Sequence, residues 1–243
     1  MEETKNIEPN EMTEINKIFK TLMHFPGSTF SDLWDKSIES NKFTYYLKKI
    51  ENDGFIEKRE GRYYLTLKGK SEVATISGDT GKSMKRPYVA LLLVPRREGK
   101  YILYHRMKEP YYGHCGFPGA KLEMGEEILA GAERELLEET GLRGKGKIVA
   151  VQNAITLNDD EVFAHMTQFI VLFEEPKGEL VTENREGTYK WATKNEILSQ
   201  KNLFPDIPNV IKLIEKKEFA LIESKFIQEK EKFVGIKTKN IPH

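Results

Sequence analysis

Residues 120–142 read AKLEMGEEILAGAERELLEETGL, and the reading of the whole chain turns on that stretch. From Glu127 to Thr140 it holds strong helix formers and no proline. Gly141 supplies the stop, because glycine accepts the left-handed conformation that closes a helix. On such a helix Glu135, Glu138 and Glu139 stand at i, i+3 and i+4, so three carboxylates share one face. Leu129, Ala132 and Leu136 stand at i, i+3 and i+7 on the adjoining face, a stripe fit for burial. Like charges at this spacing repel and weaken a helix unless a cation sits among them. Hard oxygen donors clustered this way suit Mg²⁺ or Mn²⁺, which bind through a few carboxylates together with substrate phosphates. Three glutamates alone are more often a solvated acidic face. Here Glu126, Arg134 and Gly141 keep fixed spacings to them, and ordinary residue frequencies give such a pattern by chance on the order of once in 10⁶ chains.

The pattern resembles the Nudix box: Gly, five residues, Glu, seven residues, then Arg-Glu-apolar-x-Glu-Glu-x-Gly-apolar. Every position matches except the first, where Ala120 replaces glycine and Gly119 sits one residue earlier. The resemblance implies an α/β fold, an α/β/α sandwich around a mixed sheet. It also implies hydrolysis of a phosphoanhydride in a nucleoside triphosphate or a nucleoside diphosphate derivative, with Mg²⁺ or Mn²⁺ as cofactor. In that resemblance Glu135, Glu138 and Glu139 are metal ligands, the backbone carbonyl at Ala120 is a further one, and Arg134 orients the carboxylates with Glu126 as its partner. In ENREGTYKW (183–191), Glu186 stands where many family members carry an additional ligand or base ahead of a tryptophan, with Glu183 as the fallback. FPDIPNVI (204–211) resembles the segment of MutT-type enzymes that meets the purine base. This makes Asn209 a substrate-binding candidate, since its amide carries donor and acceptor on one group. Asp206 and Pro208 would alternatively cap the helix that follows. Tyr111, Tyr112 and His114, ahead of Phe117, offer flat faces that could wall a nucleotide pocket, or serve as loop anchors. Tyr112, Phe117 and Asn209 are the substrate-contact candidates.

Upstream, apolar residues Ile15, Ile18, Phe19 and Leu22 recur at helical spacing over 11–24, and Pro26-Gly27 ends that helix. A short helix over Thr29–Lys36 and a third over Asn41–Asn52 follow. FIEKREGRYYLT then alternates about Gly61 as a hairpin, and a fourth helix is expected over Thr66–Ile76. Three helices and a hairpin resemble the winged helix-turn-helix of transcription regulators. That resemblance would set Asn41, Thr44, Tyr45 and Lys48 toward a major groove, with Lys49 and Arg62 on backbone phosphates. Residues 42–70 hold eight basic side chains against four acidic ones, a mild bias. Winged helices also dock proteins or pair two copies of a chain, so a homodimer is an alternative to double-stranded DNA. The expected division is a winged-helix domain over 1–76, a linker over 77–86 and a Nudix domain over 87–243. The linker contains GDTGKS, whose glycines are too close for a phosphate loop and which no apolar strand precedes.

The remaining strands are expected over Pro87–Val94, Tyr101–Arg106 (paired with the former across Glu98-Gly99-Lys100), Lys147–Thr156, Ala164–Phe173 and Thr188–Ala192. A helix is expected over Thr193–Ser199. The tail fits either one helix or, after a helix through Ile214, strands turning near Glu229-Lys230-Glu231. The 243 residues carry 38 basic and 38 acidic side chains, so net charge points to neither a nucleic-acid nor a membrane partner. The start, MEETKNIEPNE, is unlike a secretory signal, and one cysteine, Cys115, allows no intramolecular disulfide, which points to a cytoplasmic location. Cys115 reads as a small buried apolar residue. The proline that often marks ADP-ribose specificity is absent near Leu157–Asp160, which leaves a nucleoside triphosphate, including an oxidised purine, as first choice. The competing class is a transcriptional regulator in which the Nudix part senses a nucleotide metabolite.

Overall fold

The computed structural model describes residues 9–74 and 86–242. The chain divides into two compact units, Met1–Lys85 and Arg86–His243. The expected linker over 77–86 falls almost wholly outside the described residues.

In the first unit, helix α1 (Pro9–His24), the single turn α2 (Phe30–Leu33) and helix α3 (Ser40–Asn52) precede strands β1 (Ile56–Arg59) and β2 (Arg62–Leu65) and helix α4 (Leu67–Val73). The apolar faces of α1 and α3 meet through Ile15, Ile18, Leu22, Phe43, Leu47 and Ile50. The second helix is shorter than expected. Thr29 and Asp32 cap it reciprocally, but Trp34 is already extended and Lys36 turns left-handed at a φ of 62°. Ile76, the expected end of the fourth helix, lies outside the described residues.

The second unit is built on one ten-stranded sheet. Its strands are β3 (Tyr88–Arg97), β4 (Lys100–Arg106), β5 (Cys115–Gly116), β6 (Gly119–Lys121), β7 (Gly146–Asn158), β8 (Glu161–Glu174), β9 (Glu183–Asn184), β10 (Gly187–Ala192), β11 (Ala220–Glu229) and β12 (Lys232–Ile241). The order is β12-β11-β7-β8-β3-β4-β10-β9, with β5 on β4 and β6 on β3; the β3·β8 and β7·β11 pairs are parallel and the rest antiparallel.

β3 and β4 pair only at Arg96–Tyr101 and Arg97–Lys100, not along their length as expected. Pro95 explains where the ladder stops. Leu93 donates its N–H to Pro118 on the β4 side of β3, so residue 95 would donate on that side too, and proline has no N–H to give. Beyond that point the strands part. β5 and β6 fill the gap, which carries the start of the 120–142 stretch to the middle of the sheet.

Strand alternation sorts β3 between two cores. Leu91 and Leu93 join Ala132 and Leu136 of helix α5 (Ile128–Thr140) on one face. Leu92 and Val94 join Val210, Ile211 and Ile214 of helix α7 (Ile207–Lys216) on the other, with Ile197 of the short helix α6 (Lys194–Leu198). Helices therefore cover both faces of a mixed sheet. Leu129, expected in the buried stripe of α5, instead lies at its edge, 38 % exposed.

The tail resolves into a hairpin. In β11, ALIESKFIQE buries every second residue, Ala220, Ile222, Ser224, Phe226 and Gln228, a period of two that suits a strand and not a helix. Lys230 and Glu231, both left-handed, make the turn. That turn is tied to the β7–β8 turn: Glu231 N donates to Asn158 Oδ1 (2.9 Å) and Asp159 N to Gln228 O (3.1 Å).

Candidate active site

Helix α5 runs from Glu127, its N-cap, to Gly141, which closes it with a φ of 74°. Ahead of the helix, Glu126 is gripped by Arg134 in a two-pronged contact: Nε to Oε1 at 2.8 Å and Nη2 to Oε2 at 3.0 Å. The remaining Arg134 nitrogen, Nη1, donates to Glu135 Oε1 (2.8 Å) and Glu138 Oε2 (3.1 Å). One guanidinium thus ties the loop to the helix and screens the carboxylates from one another. It also holds the Glu126 carboxyl below its ordinary range.

The three glutamates of the helix do not stand alike. Glu135 and Glu139 line a cavity of about 710 Å³, together with Glu186. The side chain of Glu138 is 60 % exposed and off the cavity wall. Helical geometry explains this: i and i+4 lie nearly in line, whereas i+3 is rotated away. Glu139 is buried, at 9 % exposure, and no hydrogen bond among the described residues reaches its carboxylate. Burial, first, and then the charges of Glu135 and Glu186 push its carboxyl up to about 8, with Lys108 and Arg106 opposing. The wall beside it is Tyr104 stacked on Tyr189, ring centres 5.1 Å apart, with the Tyr104 hydroxyl donating to the Glu186 carbonyl at 2.9 Å.

Glu186 is paired with Lys108. Its loop is shaped by Asn184, whose Oδ1 accepts from the N–H groups of Glu186 (2.8 Å) and Gly187 (3.2 Å). Gly187 is required here, since a Cβ would stand 2.1 Å from the carbonyl oxygen of His105. Glu183 is exposed and lies off the cavity. Ala120 lines the cavity at its pairing with Leu91. The alternation set by Leu93→Pro118 and Leu122→Val89 makes Leu91–Ala120 a hydrogen-bonded pair, so the Ala120 carbonyl already accepts one bond from the sheet.

Among the described residues, no three His, Cys, Asp or Glu side chains are gathered as a finished cage. The donor set nevertheless fits a hard divalent cation. It is all carboxylate oxygen, two members are held by Arg134 and Lys108, and the third is buried without a hydrogen bond.

The far end of the cavity is aromatic. Tyr111, Phe117, Phe163, Phe204, Phe226 and Phe233 line it, and so do Gln168 and Asp206. Of the substrate-contact candidates, only Phe117 lies on this wall. Tyr112 is 61 % exposed and points elsewhere, while its neighbour Tyr111, left-handed at a φ of 72°, turns inward. Asn209 is exposed on α7 and off the cavity, whereas Asp206, immediately before the helix, is buried in it. Asp206 shares its buried side with Ile207, Val210 and Ile211, whereas Asn209 lies beside Pro208 on the exposed side of the helix. Burial pushes the Asp206 carboxyl up to about 6 against hydrogen bonds from its own and Ile207's backbone and from Gln152. Sequence reasoning missed Asp206, Gln168, Phe226 and Phe233. The only sign of them was a polar residue inside an otherwise apolar strand run, as at Gln168. Cys115 is buried, and its thiol is pushed up to about 11 by that burial.

In the first unit, Asn41, Tyr45 and Lys48 are exposed along α3. Thr44 is half-buried and donates to the Ser40 carbonyl at 2.8 Å. Lys49 is likewise half-buried, and Arg62 donates to the Gly27 carbonyl at 2.9 Å and so does not stand clear at the hairpin tip.

A curated relative, an uncharacterized Nudix hydrolase, YvcI, of Bacillus subtilis, is 28 % identical over 92 residues, 37 % of this chain. The match spans 58 % of that relative's length. The solved structure of a MutT protein from Bacillus halodurans superposes with a TM-score of 0.50 at 19 % identity, covering 63 % of this chain and 97 % of that one. The NUDIX domain of Shewanella oneidensis NrtR, solved with ADP ribose, has a TM-score of 0.48 at 15 % identity over 61 % of this chain and 97 % of that one. No helix among the described residues is long and apolar enough to cross a membrane. The NUDIX domain family model matches residues 84–214, more than half of the sequence and most of the cavity lining, and the chain belongs to that family.

Proposed function

We propose that the protein is a divalent-cation-dependent hydrolase that cleaves a phosphoanhydride of a nucleoside triphosphate or nucleoside diphosphate derivative. The observation that carries this reading is the Glu139 carboxyl, buried without a hydrogen bond at a cavity wall it shares with Glu135 and Glu186. Mg²⁺ or Mn²⁺, when bound, offsets phosphate charge and orients the attacking water. Glu135, Glu139 and Glu186 would hold it, with Glu138 at the solvent edge of the same turn. Arg134 fixes Glu135 and keeps the box loop on the helix through Glu126. Arg106, Lys108 and Lys121 line the same cavity and supply the positive charge for the phosphate oxygens in this reading. A carboxylate of this set takes the proton as the water oxygen bonds to phosphorus and the bridging P–O bond breaks. Glu139→Gln should lower kcat roughly a hundredfold or more on a nucleotide panel with Mg²⁺, while the circular dichroism stays unchanged. Full activity in that variant overturns the assignment.

For the first unit we propose a winged helix-turn-helix on residues 1–76, joined by a linker over 77–86 to the Nudix domain over 87–243. The order of three helices, a two-stranded hairpin and a further helix supports it. Asn41, Tyr45 and Lys48, exposed on α3, are then the contacts to a DNA groove, with Thr44, engaged within the unit, a weaker one, and Lys49 and Arg62 contact backbone phosphates. The full chain should bind labelled duplex more weakly as salt rises from about 50 to about 200 mM. Binding that a nucleotide strengthens or weakens would mark the sensor reading. No binding at low salt, with a doubled solution mass, would mark a dimerising module instead.

A further inference from the structure

The C-terminal hairpin lies beyond the residues that the family model matches, 84–214, yet it forms part of the cavity. Its two rings, Phe226 and Phe233, sit 6.0 Å apart. Phe233 stacks on Tyr111, centres 5.4 Å apart and planes 26° apart, and Tyr111 meets Phe204 (5.7 Å) and Phe163 (6.0 Å) edge-on. Phe233 is only half-buried, so one side of this aromatic nest is open toward the cavity.

The hairpin also reaches the polar groups at the same end. Gln168 Nε2 donates to Gln152 Oε1 (3.2 Å), and Gln152 Nε2 donates to Ser224 Oγ (2.8 Å) on β11. Ser224 Oγ shares a hydrogen bond with Thr238 Oγ1 (3.2 Å) on β12. Gln152, Gln168, Asp206 and Ser224 are each at most 7 % exposed. With its amide nitrogen so engaged, Gln168 presents its carbonyl oxygen, which accepts no hydrogen bond among the described residues. Asp206 adds a carboxylate to the lining of the same cavity. Two acceptors on the wall of a cavity that also carries an aromatic face favour a flat ring whose edge bears adjacent N–H donors.

We propose that this hairpin is the specificity element of the site. In this role the stacked Phe233–Tyr111 pair offers an outer ring face to a nucleobase, Gln168 and Asp206 read an N–H-donating edge such as that of a 2-amino-6-oxopurine, and Ser224 is the positioning residue that fixes the amide chain. The inference deepens the hydrolase reading and rests on it for the phosphate end only. The base end makes its own prediction about binding. The uracil edge, with a single N–H between two carbonyl acceptors, would leave one of the two groups unpaired.

The test uses the full-length protein and two readouts. The first is binding of non-hydrolysable guanosine, adenosine and uridine triphosphate analogues by calorimetry. The second is Mg²⁺-dependent turnover of GTP, ATP and UTP, with methyl triphosphate as a base-free control. The guanosine analogue is expected to bind tightest. Phe233→Leu keeps apolar bulk without a ring; it should weaken that binding roughly tenfold, the loss expected for one stacking contact, and leave methyl triphosphate turnover within about twofold. Ser224→Ala should narrow the guanosine-over-adenosine preference at unchanged kcat, and Ser224→Thr should restore it. Equal binding of all three analogues, or equal effects of Phe233→Leu on GTP and methyl triphosphate, overturns the inference while leaving the hydrolase intact. Selective guanosine binding without turnover of any substrate would uphold the base site and overturn the hydrolase reading.

Discussion

At the scale of the residue, burial decides which acidic groups matter. Glu135, Glu138 and Glu139 share one broad face of the helix, but the cavity takes the first and third and leaves the second, rotated away, at the surface. Asp206 shows the same rule in a second place. Its carboxyl, pushed up to about 6 from 3.8 by full burial, favours the protonated form in the folded chain. A group whose folded pKa is raised contributes stability that is complete below the unfolded value and is lost as pH climbs through the folded one. The window here is therefore pH 4 to 6, and the loss is at most about 3 kcal/mol. Asp206→Asn removes the titration, so its melting temperature should rise relative to the wild type as pH goes from 4 to 7. A constant difference between the two proteins across that range would refute the shift.

At the scale of the element, α5 is held by a neighbour that a helix scale cannot see. Gly131 sits in the first turn, where alanine would ordinarily favour the helix by about 1 kcal/mol. A Cβ there would stand 2.6 Å from Glu126 Oε2 and 2.8 Å from Leu122 Cδ1. Gly131 is therefore the space into which the Glu126–Arg134 pair closes. Gly131→Ala should cost little stability, because the helix gain offsets the crowding. It should lower kcat about tenfold, the usual size of a lost orienting contact, measured by steady-state hydrolysis beside thermal melting. A variant as active as wild type would show that Glu126 need not stay on Arg134.

At the scale of the whole molecule, the cavity is a property of strands distant in sequence. β3, β6, β8, the Tyr111 loop, the Glu186 loop and the C-terminal hairpin each supply one wall. If the acidic wall binds a cation in the folded chain only, Mg²⁺ at a hundred times its dissociation constant adds about 2.7 kcal/mol of stability. For the second unit's size that is a melting shift of roughly 5–10 °C in wild type. The shift should be absent in Glu139→Gln, read by scanning calorimetry with and without Mg²⁺. A shift of equal size in both proteins would place the cation elsewhere.

Local sequence was enough to mark the helix 128–140, its Gly141 stop, the Glu126, Arg134 and Glu135 set and most strand positions, because helix stops, alternation and box spacing are encoded within a few residues of one another. It was not enough for Tyr111 against Tyr112, Asp206 against Asn209, or the parting of β3 and β4. Each of those depends on which side of an element meets the sheet, and that is settled by packing between residues far apart in the chain. Nor could periodicity by itself choose between a helix and a hairpin for the tail. The choice fell to the open edge of β7, whose unpaired N–H and C=O groups β11 satisfies and a helix would have left bare.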